Sequence, residues 1–307
     1  MTLVVPKAIL LIRNPTAGRR RSGLVDAVVR RVRAEGWTVD LVDTAAADDA
    51  RRLAEGCDAM RYAVIAVAGG DGTINEVVNG LARRGADGPA LAIVPLGTAN
   101  VLAHELGLKI SAAAIAGAIV GGRELSVRPG AASGDGSARH FSLMAGAGFD
   151  AHVVAGVSSA LKRRWGKLAY VWRSLIEAAH YRPVRYLVEI DGARYEAASV
   201  IVTRGRHYAG PYVVAPDATL AEPTLHVCLF ERWGRLQPLR FGAALVFGRL
   251  PQAAGYRVVA GHDVRISVEG EAKRQPLQID GDDALSLPVS IGVASGAVRM
   301  LRPTLSS

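Results

Sequence analysis

Along the first third of the chain, apolar residues follow two alternating periods. Ala8 to Ile12 is a short apolar run that closes on the turn Asn14-Pro15-Thr16-Ala17-Gly18. From Gly23 to Glu35, Leu24, Val25, Val28, Val29 and Val32 recur at helical spacing; Gly36 ends that helix and Trp37 to Val42 predicts a strand. The pattern then predicts a helix over Asp48 to Glu55, a strand over Tyr62 to Ala68 and an amphipathic helix over Ile74 to Arg84. A strand over Leu91 to Pro95 and a helix near Val101 to Leu106 complete the series. Regular strand–helix alternation predicts a parallel sheet covered on both faces.

After about residue 125 the pattern changes. Strand-like segments flank Ser133-Gly134-Asp135-Gly136, Asp191-Gly192 and Asp280-Gly281, which are hairpin signals. One long helix, Ser159 to His180, interrupts them. The second part therefore reads as mostly antiparallel β, with a boundary near residues 122 to 128.

Composition narrows the class. In 307 residues, 50% are hydrophobic and 21% charged, which excludes a disordered chain and allows a sizeable core. The 37 Lys and Arg against 28 Asp and Glu leave a net charge of +9, which favours an anionic partner. Cys57 and Cys228 lack the neighbours that zinc or redox chemistry needs and read as buried small hydrophobes in a reducing cytosol. Met1 to Lys7 lacks a basic region and a cleavage site, and Ser111 to Gly122, the longest apolar stretch, falls short of the ~20 residues of a membrane span. These features predict a cytoplasmic protein that meets a membrane only at its surface.

The richest segment is Val64-Ile65-Ala66-Val67-Ala68-Gly69-Gly70-Asp71-Gly72-Thr73-Ile74-Asn75-Glu76. A buried strand runs through three glycines around an Asp into a helix. Small residues let the backbone approach a ligand, and the first N–H groups of the helix face it unpaired, as a phosphate requires. Asp71 would repel a phosphate unless magnesium or a hydroxyl proton lay between them. Pro95-Leu96-Gly97-Thr98-Ala99-Asn100 follows the next strand in the same way, and Asn14 to Gly18 follows the first. In a parallel sheet these loops share one edge, so Thr16, Thr73, Thr98 and Asn100 would face one nucleotide-sized site. No GxxxxGK[ST] motif is present. The GxGxxA match at Gly146 to Ala151 follows a hairpin and lacks an obvious acidic ribose-binding residue.

At these residues the sequence resembles the diacylglycerol kinase catalytic-domain family, which includes sphingosine and ceramide kinases and bacterial lipid kinases. The three loops carry the resemblance, which continues through Gly146 to Phe149, Leu161-Lys162, Gly166 to Tyr170, Ala215-Pro216 and Ile279-Asp280-Gly281. It implies an N-terminal α/β nucleotide domain with an NAD-kinase-like parallel sheet (1–126, with 294–307 returning to it) and an antiparallel β-sandwich lipid domain (127–293). It implies ATP and Mg2+ as cofactors, with Asn14, Pro15, Thr16, Ala17, Gly18, Thr44, Gly69, Gly70, Asp71, Gly72, Thr73, Ile74, Asn75 and Thr98 at the nucleotide. It also implies a general base at Asp282, where the family usually has Glu, with Asp283 as the neighbouring alternative, and a role for Asp71 in holding the γ-phosphate through magnesium. The activity implied is phosphorylation of a lipid hydroxyl, diacylglycerol or a related lipid, within phospholipid metabolism.

The sequence departs from the family where a structural magnesium is bound. In Leu220-Ala221-Glu222-Pro223-Thr224-Leu225, Glu222 keeps the acid, but Pro223 replaces the family's glycine and fixes φ. The long helix opens with Lys162, Arg163, Arg164 and Lys167 and continues with a stripe holding Trp165 and Trp172, suited to an anionic membrane surface as well as to packing on the β layer. No nucleic-acid motif accompanies the charge. Two rival readings stay open: a kinase of a soluble substrate, as in NAD kinases, and a nucleotide- or lipid-binding regulator without turnover. Oligomeric state is open as well.

Overall fold

The computed structural model describes residues 7–17, 21–148, 184–234, 236–269 and 275–304. The chain divides into two units, Met1–Pro129 with Ala294–Ser307, and Gly130–Val293.

The first unit is built on strands β1 (Ala8–Arg13), β2 (Thr38–Asp43), β3 (Val64–Gly69), β4 (Ala90–Pro95) and β5 (Arg123–Val127), joined by the chain's last strand, β20 (Val298–Arg302). Their order is β2-β1-β3-β4-β20-β5; β1 to β4 run parallel, and β20 lies parallel to β4 and antiparallel to β5. All six residues of both β3 and β4 are buried, as expected of central parallel strands covered on both faces. Helices α1 (Ser22–Ala34), α2 (Asp49–Glu55), α3 (Asp71–Arg84), α4 (Val101–Glu105) and α5 (Ala112–Gly121) supply the cover. The periodicity holds: Val25, Val28 and Val32 of α1 and Ile74, Val77, Val78 and Leu81 of α3 are buried. Ser111 caps α5 by accepting the Ala114 N–H at 3.2 Å, so this stretch, noticed in the sequence only for its apolarity, is a capped helix packed on α1. Helices α2 and α3 meet at Gly80, where a Cβ would lie 2.5 Å from the Arg51 carbonyl oxygen.

The second unit opens with β6 (Gly130–Gly134), β7 (Ser137–Phe141), β8 (Met144–Ala147), β9 (Tyr186–Ile190), β10 (Ala193–Ala197), β11 (Ser199–Thr203) and the short pair β12 (His207–Tyr208) and β13 (Tyr212–Val213). It continues with β14 (Leu225–Phe230), helix α6 (Gln237–Val246), β15 (Tyr256–Gly261), β16 (Val264–Val268), β17 (Pro276–Ile279), β18 (Asp282–Ser286) and β19 (Val289–Val293). Two six-stranded antiparallel sheets, β10-β9-β16-β19-β6-β7 and β15-β14-β11-β8-β17-β18, enclose one core. Val188, Ile266 and Ile291 of the first sheet meet Val200, Val227 and Leu277 of the second in it. The three Asp-Gly signals are hairpin turns with positive φ at both residues: Asp135-Gly136 at +50° and +72°, Asp191-Gly192 at +47° and +85°, Asp280-Gly281 at +46° and +88°. Such a turn matches the twist of the strands it joins. The long helix expected over 159–180, with Lys162, Arg163, Arg164 and Lys167, lies outside the described residues.

Candidate active site

In the first unit, the loops after β1, β2, β3 and β4 all leave the carboxyl edge of four neighbouring strands, where parallel sheets hold their ligands. Backbone bonds step across that edge: the Thr44 N–H donates to Arg13 O, the Asn14 N–H to Ala68 O and the Leu96 N–H to Gly69 O, each at 2.9 Å. Asn14 organises the first loop, since its Oδ1 accepts the Thr16 N–H at 2.9 Å and the Thr16 hydroxyl at 2.8 Å. Its Nδ2 donates to Thr73 Oγ1 at 3.0 Å, which leaves the Thr73 hydroxyl hydrogen for another acceptor. Pro15, Thr16 and Thr98 are exposed and Ala17 half-buried; Gly18 lies outside the described residues.

Helix α3 begins at Asp71, three residues before the position read from apolar spacing. Asp71, Gly72 and Thr73 therefore form its first turn, whose N–H groups have no partners within the helix. Two glycines serve the backbone itself. A Cβ on Gly69 would lie 2.7 Å from Thr73 Cβ, and one on Gly97 would lie 2.9 Å from Gly70 Cα, because the β3 and β4 loops pass against each other there. Ile74 is buried with its N–H donated to Gly70 O at 3.0 Å, and the half-buried Asn75 accepts from Asn79 Nδ2 at Oδ1 (3.2 Å) and at its carbonyl (2.8 Å).

The Asp71 carboxyl lies at the crossing of these loops. Burial pushes its pKa up, and the N–H groups of Leu102, Val101 and Asn100 at the start of α4 pull the other way without restoring it. Its Oδ1 is enclosed with no hydrogen-bond partner in this structure. Asn100 stands beside it in the left-handed conformation (φ +49°), its Nδ2 donating to Gly97 O at 2.9 Å and its own Oδ1 likewise without a donor. Two donorless buried oxygens at one crossing are costly, and they mark a polar site shaped for something other than its own backbone.

In the second unit, the β17–β18 hairpin carries the acids. Asp280 is an anchor: its Oδ2 accepts the Ser142 N–H at 2.6 Å, and its Oδ1 accepts those of Leu143 and Met144 at 3.1 and 2.9 Å. Gln278 Oε1 accepts the Gly281 N–H at 2.8 Å and closes the turn. Asp282 opens β18 with its side chain exposed, so this fixed turn presents it to solvent.

The magnesium that the resemblance implies at Glu222 is not supported by the residues present. Glu222 is exposed, with its N–H donated to Thr219 O at 3.4 Å. The carbonyls on either side of it, those of Leu220 and Thr224, accept from the Arg204 guanidinium, the Leu220 bond at 3.5 Å. Arg204 is fully buried, and a cation already seated on both carbonyls repels a second one. Among the described residues no group of three or more His, Cys, Asp or Glu side chains could hold a metal.

Sequence reasoning missed Arg204, Asp280 as an anchor, and Arg21, whose guanidinium reaches Pro95 O at 3.1 Å on the edge where the loops gather. Arg204 and Arg21 stood in no motif, and Asp280 was read only as a turn residue of the Asp280-Gly281 signal. For Arg204 the one visible signal was its place two residues after the apolar run Val200 to Val202.

The first unit is a parallel sheet with four loops gathered at its carboxyl edge and the second an antiparallel sandwich carrying an acidic hairpin, an α/β-plus-β-sandwich class. Comparison with known proteins narrows it. The family model "Diacylglycerol kinase catalytic domain" matches residues 8–139, and "YegS C-terminal NAD kinase beta sandwich-like domain" matches residues 144–302. The chain belongs to the diacylglycerol kinase catalytic-domain family of lipid kinases. It is 27% identical over 283 residues to the "Diacylglycerol kinase" of Bacillus subtilis, covering 91% of this chain and 90% of that one. It is 30% identical over 266 residues to the "Probable lipid kinase YegS-like" of Pseudomonas putida, covering 83% and 84%. The crystal structure of a diacylglycerol kinase from Bacillus anthracis str. Sterne shares the fold at a TM-score of 0.70 and 22% identity, covering 96% of this chain and 97% of that one.

Proposed function

We propose that this lipid kinase uses ATP and magnesium and transfers the γ-phosphoryl group to a hydroxyl of diacylglycerol or a related lipid. The observation that carries this reading is the loop crossing around Asp71: a buried carboxyl with an unsatisfied oxygen, set between the starts of α3 and α4 on the carboxyl edge of the sheet. Asn14, Thr16, Thr44, Gly69, Gly70, Thr73 and Thr98 surround the phosphates there through backbone N–H groups and hydroxyls. A carboxylate oxygen lacking a donor fits a nucleotide-bound magnesium ion, which Asp71 would hold and which would supply neutralisation of phosphate charge. Asp71 holds the phosphate end in register, and Arg21 adds positive charge to the same edge.

Asp282 takes the proton of the lipid hydroxyl as that oxygen bonds to the γ-phosphorus. The bond from the γ-phosphorus to its bridging oxygen breaks, and ADP leaves with the electron pair. The acid is one methylene shorter than the family's usual Glu, so the acceptor must approach the turn more closely.

Incubation of the pure protein with labelled ATP, magnesium and a lipid extract tests this reading and should label a lipid band. Label on NAD instead would establish the soluble-substrate kinase. ATP binding without any labelled product would establish the regulator. Asp282→Asn against Asp283→Asn assigns the base, and an Asp282→Asn enzyme at the wild-type rate would remove Asp282 from the mechanism.

A further inference from the structure

Helix α6 presents apolar residues on both of its sides. Phe241 holds it to the sandwich, with its ring packed edge-on to Phe230 at 5.1 Å, and Leu250 beyond its end is also buried. On the other side Leu236 is 74% exposed, Leu239 42%, Val246 57% and Phe247 78%. At 3.6 residues per turn these four, with the exposed Arg240 and Ala243, fall within an arc of about 120°. That arc is where a surface helix ordinarily carries its polar residues. Trp233, on the approach to the helix, is 42% exposed as well. Of the nine large hydrophobic residues exposed among the described residues, five lie between Trp233 and Phe247, so the exposure is concentrated in one face.

The charge around this face has one sign. From Arg232 to Gly255 the sequence holds four Arg and no Asp or Glu. Arg232, Arg240 and Arg249 are exposed around the helix, and the nearest preceding acid, Glu231, is paired with Arg257 at 2.9 Å. We propose that the exposed face of α6 is a membrane-docking surface that seats Leu236, Leu239, Val246 and Phe247 in the headgroup boundary of an anionic bilayer, with Trp233 at the interface and the arginines on the lipid phosphates. An apolar stripe fringed only by cations fits that partner. It does not fit a second copy of this chain, because a two-fold contact through the same face would bring the arginines of both copies together. No helix among the described residues is long and apolar enough to cross a membrane, so docking would be at the surface. The proposal does not depend on the kinase reading, nor on Lys162–Lys167, which lie outside the described residues.

Co-sedimentation of the full chain, without ATP, with vesicles of phosphatidylcholine alone or with added phosphatidylglycerol tests the proposal. Wild-type protein should bind the anionic vesicles more tightly, and less so as salt rises. Leu236→Ser combined with Phe247→Ser should weaken binding about tenfold or more. Arg240→Glu should reduce binding to anionic vesicles at least about fivefold and leave phosphatidylcholine binding unchanged. All three positions are exposed, and unchanged melting temperatures would confirm that the fold is intact. Wild-type binding by the double variant would overturn the proposal, as would failure of the wild type to bind either vesicle. So would a wild-type dimer in sedimentation that the double variant converts to monomer, since the face would then belong to a second copy.

Discussion

Asp280 gives the sharpest test of how the acidic hairpin is held. Its carboxylate takes three amide hydrogens from one short stretch, two on Oδ1 and one on Oδ2, and its backbone sits at φ +46°. The residues that supply those amides, Ser142, Leu143 and Met144, are 3%, 3% and 6% exposed, so water is a poor substitute. In Asp280→Ala three donors lose a charged acceptor at about 1 kcal/mol or more each, a loss of about 3–4 kcal/mol. The left-handed backbone adds about 1 kcal/mol for a side chain that cannot bond locally. Asp280→Gly removes the same acceptor but accepts the positive φ, so it should cost about 1 kcal/mol less than the alanine. In Asp280→Asn the remaining oxygen can keep the Leu143 and Met144 bonds while its amide faces the Ser142 N–H, for a loss of about 2 kcal/mol. Two units need not unfold together, so denaturant curves should be read alongside amide hydrogen exchange at residues 142–144. The expected order of loss is Asn, then Gly, then Ala, with exchange accelerated at Ser142 in all three. Equal losses for Gly and Ala would refute the backbone argument. An Asn variant as unstable as Ala would refute the division of bonds between the two oxygens.

Other expectations follow from the same geometry. Because burial raises the Asp71 pKa, the folded state binds that proton more tightly, and stability falls as pH rises through the folded pKa. Asp71→Asn should therefore melt higher than wild type at neutral pH, lose that advantage in acid below the ordinary carboxyl range, and lose phosphoryl transfer; a variant less stable at every pH would count against the assignment. Arg204→Met should destabilise by about 2–4 kcal/mol, because the buried Leu220 and half-buried Thr224 lose the donor to their carbonyls. Wild-type melting without nucleotide should be indifferent to a magnesium chelator, and a lowered melting temperature would restore a metal at Glu222. Gly69→Ala should cost about 1–3 kcal/mol through its clash with Thr73. Gly70→Ala, whose Cβ would sit 3.6 Å from Gly97 Cα, should fold normally, and equal melting losses in the two would undo the distinction.

Much of this protein was legible in its sequence because the relevant physics is local. A central parallel strand must be apolar on both faces, so the runs Tyr62 to Ala68 and Leu91 to Pro95 predicted strands within two residues of those found at Val64–Gly69 and Ala90–Pro95. A two-residue turn with positive φ needs residues such as Asp-Gly, so the three hairpins could be placed in advance. The glycines around Asp71 marked a close backbone approach for the same reason. Tertiary structure decided what depends on residues far apart in the chain. It inserted Val298–Arg302 between β4 and β5, because pairing of distant strands follows from packing and leaves no local period. It set Asp280 on amides 136 to 138 positions earlier, and it placed Arg204 on the carbonyls where the resemblance implied a metal. It also left the Leu236 and Phe247 side of α6 uncovered, since apolar spacing fixes a helix without saying which of its two apolar sides finds a partner within the fold.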